Sequence, residues 1–128
     1  MAPRILVVED DEAYRYVLAT YLANAGYKVE EAADYRRALE VLEDDEPLDL
    51  LVSDVCLSAV NGFTLGRMAR QRRPGLQIMF MTGLDELPIS EVFGTVIHKP
   101  AEPEVIVGTV GRMLDPTLAQ RPHSRPVD

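Results

Sequence analysis

Only one cysteine, Cys56, occurs in the 128 residues, so no intrachain disulfide can form and a reducing compartment fits. No apolar stretch approaches the ~20 residues of a membrane-spanning helix, and the N-terminus carries no signal-peptide pattern. These absences lead to the expectation of a cytoplasmic protein with no membrane partner. Basic charge is scarce as well. A net charge of −8 argues against nucleic acid as a direct partner, because phosphate backbones demand basic surface. Lysine is the scarcest cation: of 13 Lys and Arg residues only Lys28 and Lys99 are lysines, which makes the placement of each informative. A disordered chain is excluded too, since 47% hydrophobic and 27% charged residues describe an ordinary globular protein. The length suits one domain, able to bury about two thirds of its unfolded surface.

What is present is an alternation of short apolar runs with helix-like segments. Arg4–Val8 is an unbroken apolar run after its first residue and predicts a fully buried strand. A helix is expected from about Glu12 to Ala25, with Tyr14, Val17, Leu18, Tyr21, Leu22 and Ala25 on its inner face, Asp11 as N-cap and Gly26 as the left-handed stop. Lys28–Glu31 predicts a second strand, and Asp34 caps a helix whose face is Tyr35, Ala38, Leu39 and Leu42. Leu48–Asp54 predicts the central strand. Asn61-Gly62 marks a turn before a helix carrying Phe63, Leu65, Met68 and Ala69, which Pro74-Gly75 ends. Leu76–Thr82 and Thr95–His98 are the last strands, with room for only a turn or two of helix between Pro88 and Phe93. A final helix runs from about Glu102 to Leu114, with Pro103 tolerated in its first turn. The boundaries are therefore one domain over residues 1–115 and a polar, proline-rich, disordered tail over 116–128, with no second domain.

Such an alternation builds a parallel sheet, and ligands of open α/β sheets bind beyond the carboxyl ends of the strands. Four strand ends here carry chemistry: Glu9-Asp10-Asp11 after Ile5–Val8, Asp54 after Leu50–Ser53, Thr82 after Ile78–Met81, and Lys99-Pro100 after Val96–His98. Carboxylates, a hydroxyl and a lysine gathered on one edge make a site for a cation and a phosphoryl group.

On these motifs (Ile5–Glu12, Val52-Ser53-Asp54-Val55, Asn61-Gly62, Met81-Thr82-Gly83 and His98-Lys99-Pro100) the chain resembles the response-regulator receiver domains of two-component signalling, across about residues 3–115. The resemblance implies an α/β fold, the (βα)5 flavodoxin-like three-layer sandwich with a five-stranded parallel sheet. It implies a phosphoacceptor rather than an enzyme, taking its phosphoryl group from a histidine kinase or histidine phosphotransferase. By position the acceptor is Asp54. Asp10 and Asp54 would ligate Mg²⁺ directly, Glu9 through a water, and Cys56 through its backbone carbonyl. Thr82 would donate to one phosphoryl oxygen and Lys99 would pair with another, aimed by a cis Lys99-Pro100 peptide. The chemistry accounts for these residue types: a carboxylate attacking an anionic phosphoryl group needs cations to lower the repulsion, and Mg²⁺ prefers oxygen ligands.

Some positions depart from the family pattern. Val96 stands where an aromatic usually responds to activation, Ala101 where a phenylalanine commonly follows Lys-Pro, and Ser58 where a proline is usual. The span from Thr82 to Lys99 is short, so the fourth helix of the family should be curtailed and signalling should pass through the loop after Thr82. Without an output domain, the expected mode of action is contact with an unknown downstream protein. Cys56 is expected to be small and partly buried, His98 to sit at the rim, and Arg67, Arg70, Arg72 and Arg73 to form a solvated helix face. A flavodoxin-type FMN carrier is disfavoured because Glu9–Glu12 would repel its phosphate. A haloacid-dehalogenase-type phosphatase would need a second aspartate where Cys56 stands. A receiver-shaped interaction module independent of phosphorylation is the remaining alternative.

Overall fold

A computed structural model describes residues 2–57, 59–83 and 93–115. Its elements run β1 (Arg4–Val8), α1 (Glu12–Asn24), β2 (Lys28–Ala32), α2 (Tyr35–Leu42), β3 (Leu50–Asp54), α3 (Gly62–Arg72), β4 (Gln77–Thr82), β5 (Thr95–His98) and α4 (Pro103–Leu114). All strand pairs are parallel, in the order β2-β1-β3-β4-β5. Every residue of β1 and β3 is buried, as unbroken apolar strands at the centre of a doubly covered sheet must be. Side chains alternate across the sheet, which creates two cores. Leu6, Val8, Leu51, Ile78 and Phe80 face α2 and α3; Ile5, Val7, Leu50, Val52, Met79 and Met81 face α1 and α4. Phe80 anchors the first core, edge-on to Phe63 at 4.8 Å and to Phe93 at 5.5 Å between centroids.

Local signals act where they stand in the sequence. Asp11, Asp34 and Asn61 cap α1, α2 and α3 by accepting from the amides of Tyr14, Arg37 and Thr64. Gly26, at φ 103°, ends α1 in the left-handed region where a Cβ is penalised. Asn61-Gly62 is thus a helix start rather than a separate turn, and Gly62 is already the first residue of α3. Its amide donates to Val55 O at 2.7 Å. A Cβ at Gly62 would collide with Asp54 O, so only glycine lets α3 begin this close to the end of β3.

Three expectations need correction. Val17 and Tyr21 are each 40% exposed, because α1 buries Leu18, Ala19 and Leu22 and its inner stripe is turned away from the Val17–Tyr21 flank. Cys56 is exposed rather than partly buried, since β3 ends at Asp54 and the chain turns outward beyond the sheet. The arginines of α3 are not a uniformly solvated face. Arg73 reaches back to the end of α2, donating to Leu42 O at 3.0 Å, Asp44 O at 2.8 Å and Glu46 O at 2.9 Å, where orphan carbonyls need donors. Arg70 lies over the Phe93 ring at 5.6 Å. Arg4, only 5% exposed, also holds the α2–β3 connection through Asp44 at 2.7 Å and ties it to β2 through Glu30 at 3.3 Å. The expectations for Ser58, the short helix before Phe93, the loop after Thr82 and the tail over 116–128 lie outside the described residues.

Candidate functional site

The ends of β1, β3, β4 and β5 bring the acidic, hydroxylic and lysine signals together at one edge. Glu9, directly after β1, is 1% exposed and held by its amide donating to Ala32 O at 3.1 Å. Asp54 closes β3 and is also buried, while Asp10 is exposed. One carboxylate oxygen from each of Glu9, Asp10 and Asp54 falls within 4.8 Å of the others. Lys99 crosses from beyond β5 and donates to Asp54 Oδ2 at 2.8 Å and Glu9 Oε1 at 2.9 Å. Its own amide donates to Thr82 O at 2.6 Å, so the end of β4 fixes the backbone from which it reaches. Thr82 is fully buried, and the Lys99–Pro100 peptide is cis.

The two buried carboxylates each also meet a backbone donor. The Asp11 amide donates to Glu9 Oε2 and the Cys56 amide to Asp54 Oδ1, both at 3.0 Å. Cys56 therefore sits beside Asp54 through its backbone, independently of its thiol. Burial pushes the Glu9 carboxyl up, and the Asp54 charge adds to this; the Asp11 amide and Lys99 oppose it without cancelling it. Burial works against the Lys99 ammonium, yet hydrogen bonds and charge from Asp54 and Glu9 outweigh it and raise its pKa.

Three carboxylates against the Lys99 ammonium leave an excess of negative charge in a partly buried space. Hard oxygen donors in that arrangement fit Mg²⁺ or a similar divalent cation, and two of the three side chains, Glu9 and Asp54, are positioned by backbone hydrogen bonds. Three neighbours were not foreseen in the sequence. Tyr14 donates its hydroxyl to Ala101 O at 3.0 Å and lays its ring 5.3 Å from Lys99 Nζ. Arg15 donates to Glu9 O at 2.8 Å, supporting the acidic corner from α1. Gly62 packs so close behind Asp54 that a Cβ there would clash with the Asp54 carbonyl. Only the last had a local signal, the Asn-Gly pair.

Residues 5–110 match the response regulator receiver domain family. The response regulator receiver protein CpdR of Brucella abortus is 33% identical over 116 residues, covering 87% of this chain and 96% of CpdR. The sensor kinase CckA of the same organism is 35% identical over 118 residues, which cover 87% of this chain but only 12% of CckA. Among solved structures, a CheY-like response regulator receiver domain protein from Methanospirillum hungatei superposes with a TM-score of 0.83 at 28% identity, covering 94% of this chain and all of that one. No helix among the described residues is long and apolar enough to cross a membrane. With the parallel sheet and the acidic edge on its carboxyl side, these matches lead to one conclusion: the chain belongs to the response regulator receiver domain family, the phosphoacceptor domains of two-component signalling.

Proposed function

We propose that Asp54 is the phosphoacceptor, that Glu9, Asp10 and Asp54 with the Cys56 carbonyl hold Mg²⁺, and that the phosphoryl donor is a histidine kinase or histidine phosphotransferase. One observation carries this reading: carboxylates at the carboxyl ends of β1 and β3 cluster within 4.8 Å while Lys99 binds both Glu9 and Asp54. An Asp54 carboxylate oxygen attacks phosphorus; the O–P bond forms, the P–N bond to the donor histidine breaks, and the imidazole nitrogen keeps the electron pair. Lys99, already on Asp54 Oδ2, pairs with a phosphoryl oxygen as charge spreads over the equatorial oxygens. Thr82 donates its hydroxyl to another. Bound Mg²⁺ supplies neutralising charge that lets two anions meet.

The protein thereby assists its own phosphorylation and dephosphorylation without acting as a classical enzyme. It works in the cytoplasm as a unit of residues 1–115 with a separate tail over 116–128, and it signals by contact with a downstream protein. Intact-mass measurement after incubation with acetyl phosphate and Mg²⁺ tests the acceptor. One added phosphoryl group, lost in Asp54→Asn, is expected; label that persists in Asp54→Asn overturns the assignment.

A further inference from the structure

Lys99 must exchange one of its two carboxylate partners when Asp54 is phosphorylated, because Asp54 becomes an acyl phosphate while Glu9 does not. Its four-carbon stem is flexible, and a lysine released from one carboxylate can swing toward the other or toward solvent. The side chain is 27% exposed, so the route outward is open. The Tyr14 ring stands beside the ammonium at 5.3 Å and has no part in the acid–base or ligand exchange of the carboxylates. Tyr14 is itself anchored twice. Its amide donates to the Asp11 cap at 3.1 Å, and its hydroxyl donates to Ala101 O at 3.0 Å, across 87 residues of sequence. Tyr14 and Ala101 pack against the same core face, and the small methyl of Ala101 leaves room for the ring. The first turn of α1 is thereby tied to the segment that carries Lys99.

We infer that Tyr14 is a positioning residue for phosphotransfer, whose ring holds the Lys99 ammonium toward Asp54 while its Asp54 carboxylate partner is being replaced. This rests on Asp54 being the acceptor. A ring over a partly desolvated ammonium is worth about fivefold in rate when the contact strengthens in the transition state, as Asp54 lets go of the ammonium.

The test uses the full chain with saturating Mg²⁺ and acetyl phosphate, following the initial rate of Asp54 phosphorylation by intact mass. Tyr14→Met, which keeps bulk but no ring, should slow the rate about fivefold while the Mg²⁺ dissociation constant is unchanged; Tyr14→Phe should stay within about twofold of wild type. In NMR spectra the Lys99 ε-methylene protons should show an upfield ring shift in wild type and Tyr14→Phe that vanishes in Tyr14→Met. A purely structural role would not give this pairing of spectral and kinetic rescue by phenylalanine. Equal slowing in Tyr14→Phe and Tyr14→Met, or no slowing in either, overturns the inference even where the ring shift is present. Absence of the ring shift in wild type overturns it directly, whether or not Tyr14→Met folds. If wild type itself takes no phosphoryl group, the acceptor reading fails and this inference falls with it, an outcome distinct from kinetically silent Tyr14 variants in a phosphorylated protein.

Discussion

Gly62→Ala is a one-methyl change whose effect can be worked from the backbone alone. The added Cβ would lie 2.8 Å from Val55 Cα and 3.0 Å from the Asp54 carbonyl carbon, and closer still to Asp54 O. These carbon separations fall about 1 Å inside the optimum for non-bonded carbon. All three atoms are backbone, and the end of β3 is pinned by Val55 N donating to Met81 O at 2.9 Å. No side chain can swing away, so α3 must lift or Asp54 must shift. A displacement of about 1 Å takes the 2.7 Å bond from Gly62 N to Val55 O beyond normal reach. Overpacking costs roughly 1–3 kcal/mol and the lost hydrogen bond about 1, offset by up to about 1 from alanine's better helix propensity. The net loss is therefore about 1–3 kcal/mol, or a Tm lower by about 4–12 °C for a domain of this size. Gly75→Ala is the control: nothing lies within 4 Å of its Cβ position, so its stability should be unchanged or slightly raised. Calorimetry gives the two Tm values, and acetyl phosphate labelling gives the rate, which should fall by about 10–100-fold in Gly62→Ala as Asp54 is displaced. If Gly62→Ala melts with the Gly75→Ala control and is labelled normally, the close packing of α3 on β3 is not what holds Asp54 in place.

Further outcomes follow from the charges. Mg²⁺ should raise the Tm of the chelator-treated protein, since a ligand that binds only the native state stabilises it by mass action, and Asp10→Ala should lose that response. A response preserved in Asp10→Ala would put the ion elsewhere. Glu9 has a folded pKa above its ordinary 4.5, so its contribution to stability is present below that value and lost as pH rises through the raised one. Urea unfolding in chelator should therefore show stability declining above about pH 4.5, less steeply in Glu9→Gln; identical slopes would contradict the burial argument. Asp44 is shifted the other way, held low first by its hydrogen bond from Arg4, so its contribution is present above 3.8 and lost as pH falls through the lower folded value. Arg4→Met should cost about 1–3 kcal/mol, less than for a fully buried pair because Asp44 and Glu30 keep solvent contact. It should also flatten the acid limb of the urea titration, and an acid limb matching wild type would remove Arg4 as its cause.

The sheet was legible because its signals are local. Ile5–Val8 and Leu50–Val52 can satisfy their apolar side chains only in a strand covered on both faces, and Asp11 and Asn61 cap the helices that follow them. The site residues were legible for the same reason, each standing at the carboxyl end of such a run. What sequence spacing did not carry is rotation and reach. The spacing of Val17 and Tyr21 matches an inner face as well as that of Leu18 and Leu22 does, and only the seating of α1 beside α4 decides between them. Arg73 reads as a surface cation until the open carbonyls of α2 come within its reach. The Tyr14–Ala101 bond spans most of the chain and leaves no local trace.

Chain order gives the acidic corner an asymmetric history. Glu9 follows β1 and Asp54 ends β3, its neighbour in the sheet, and both leave the ribosome well before Lys99, which lies 90 positions after Glu9 and 45 after Asp54. Any partial sheet of β1 and β3 formed in that interval holds two carboxylates together with no lysine to offset them. If the corner binds a divalent ion as proposed, that ion is the available counter-charge, and it would also act during synthesis as a temporary partner for strand pairing. Low-magnesium conditions would accordingly penalise incomplete chains more than finished ones.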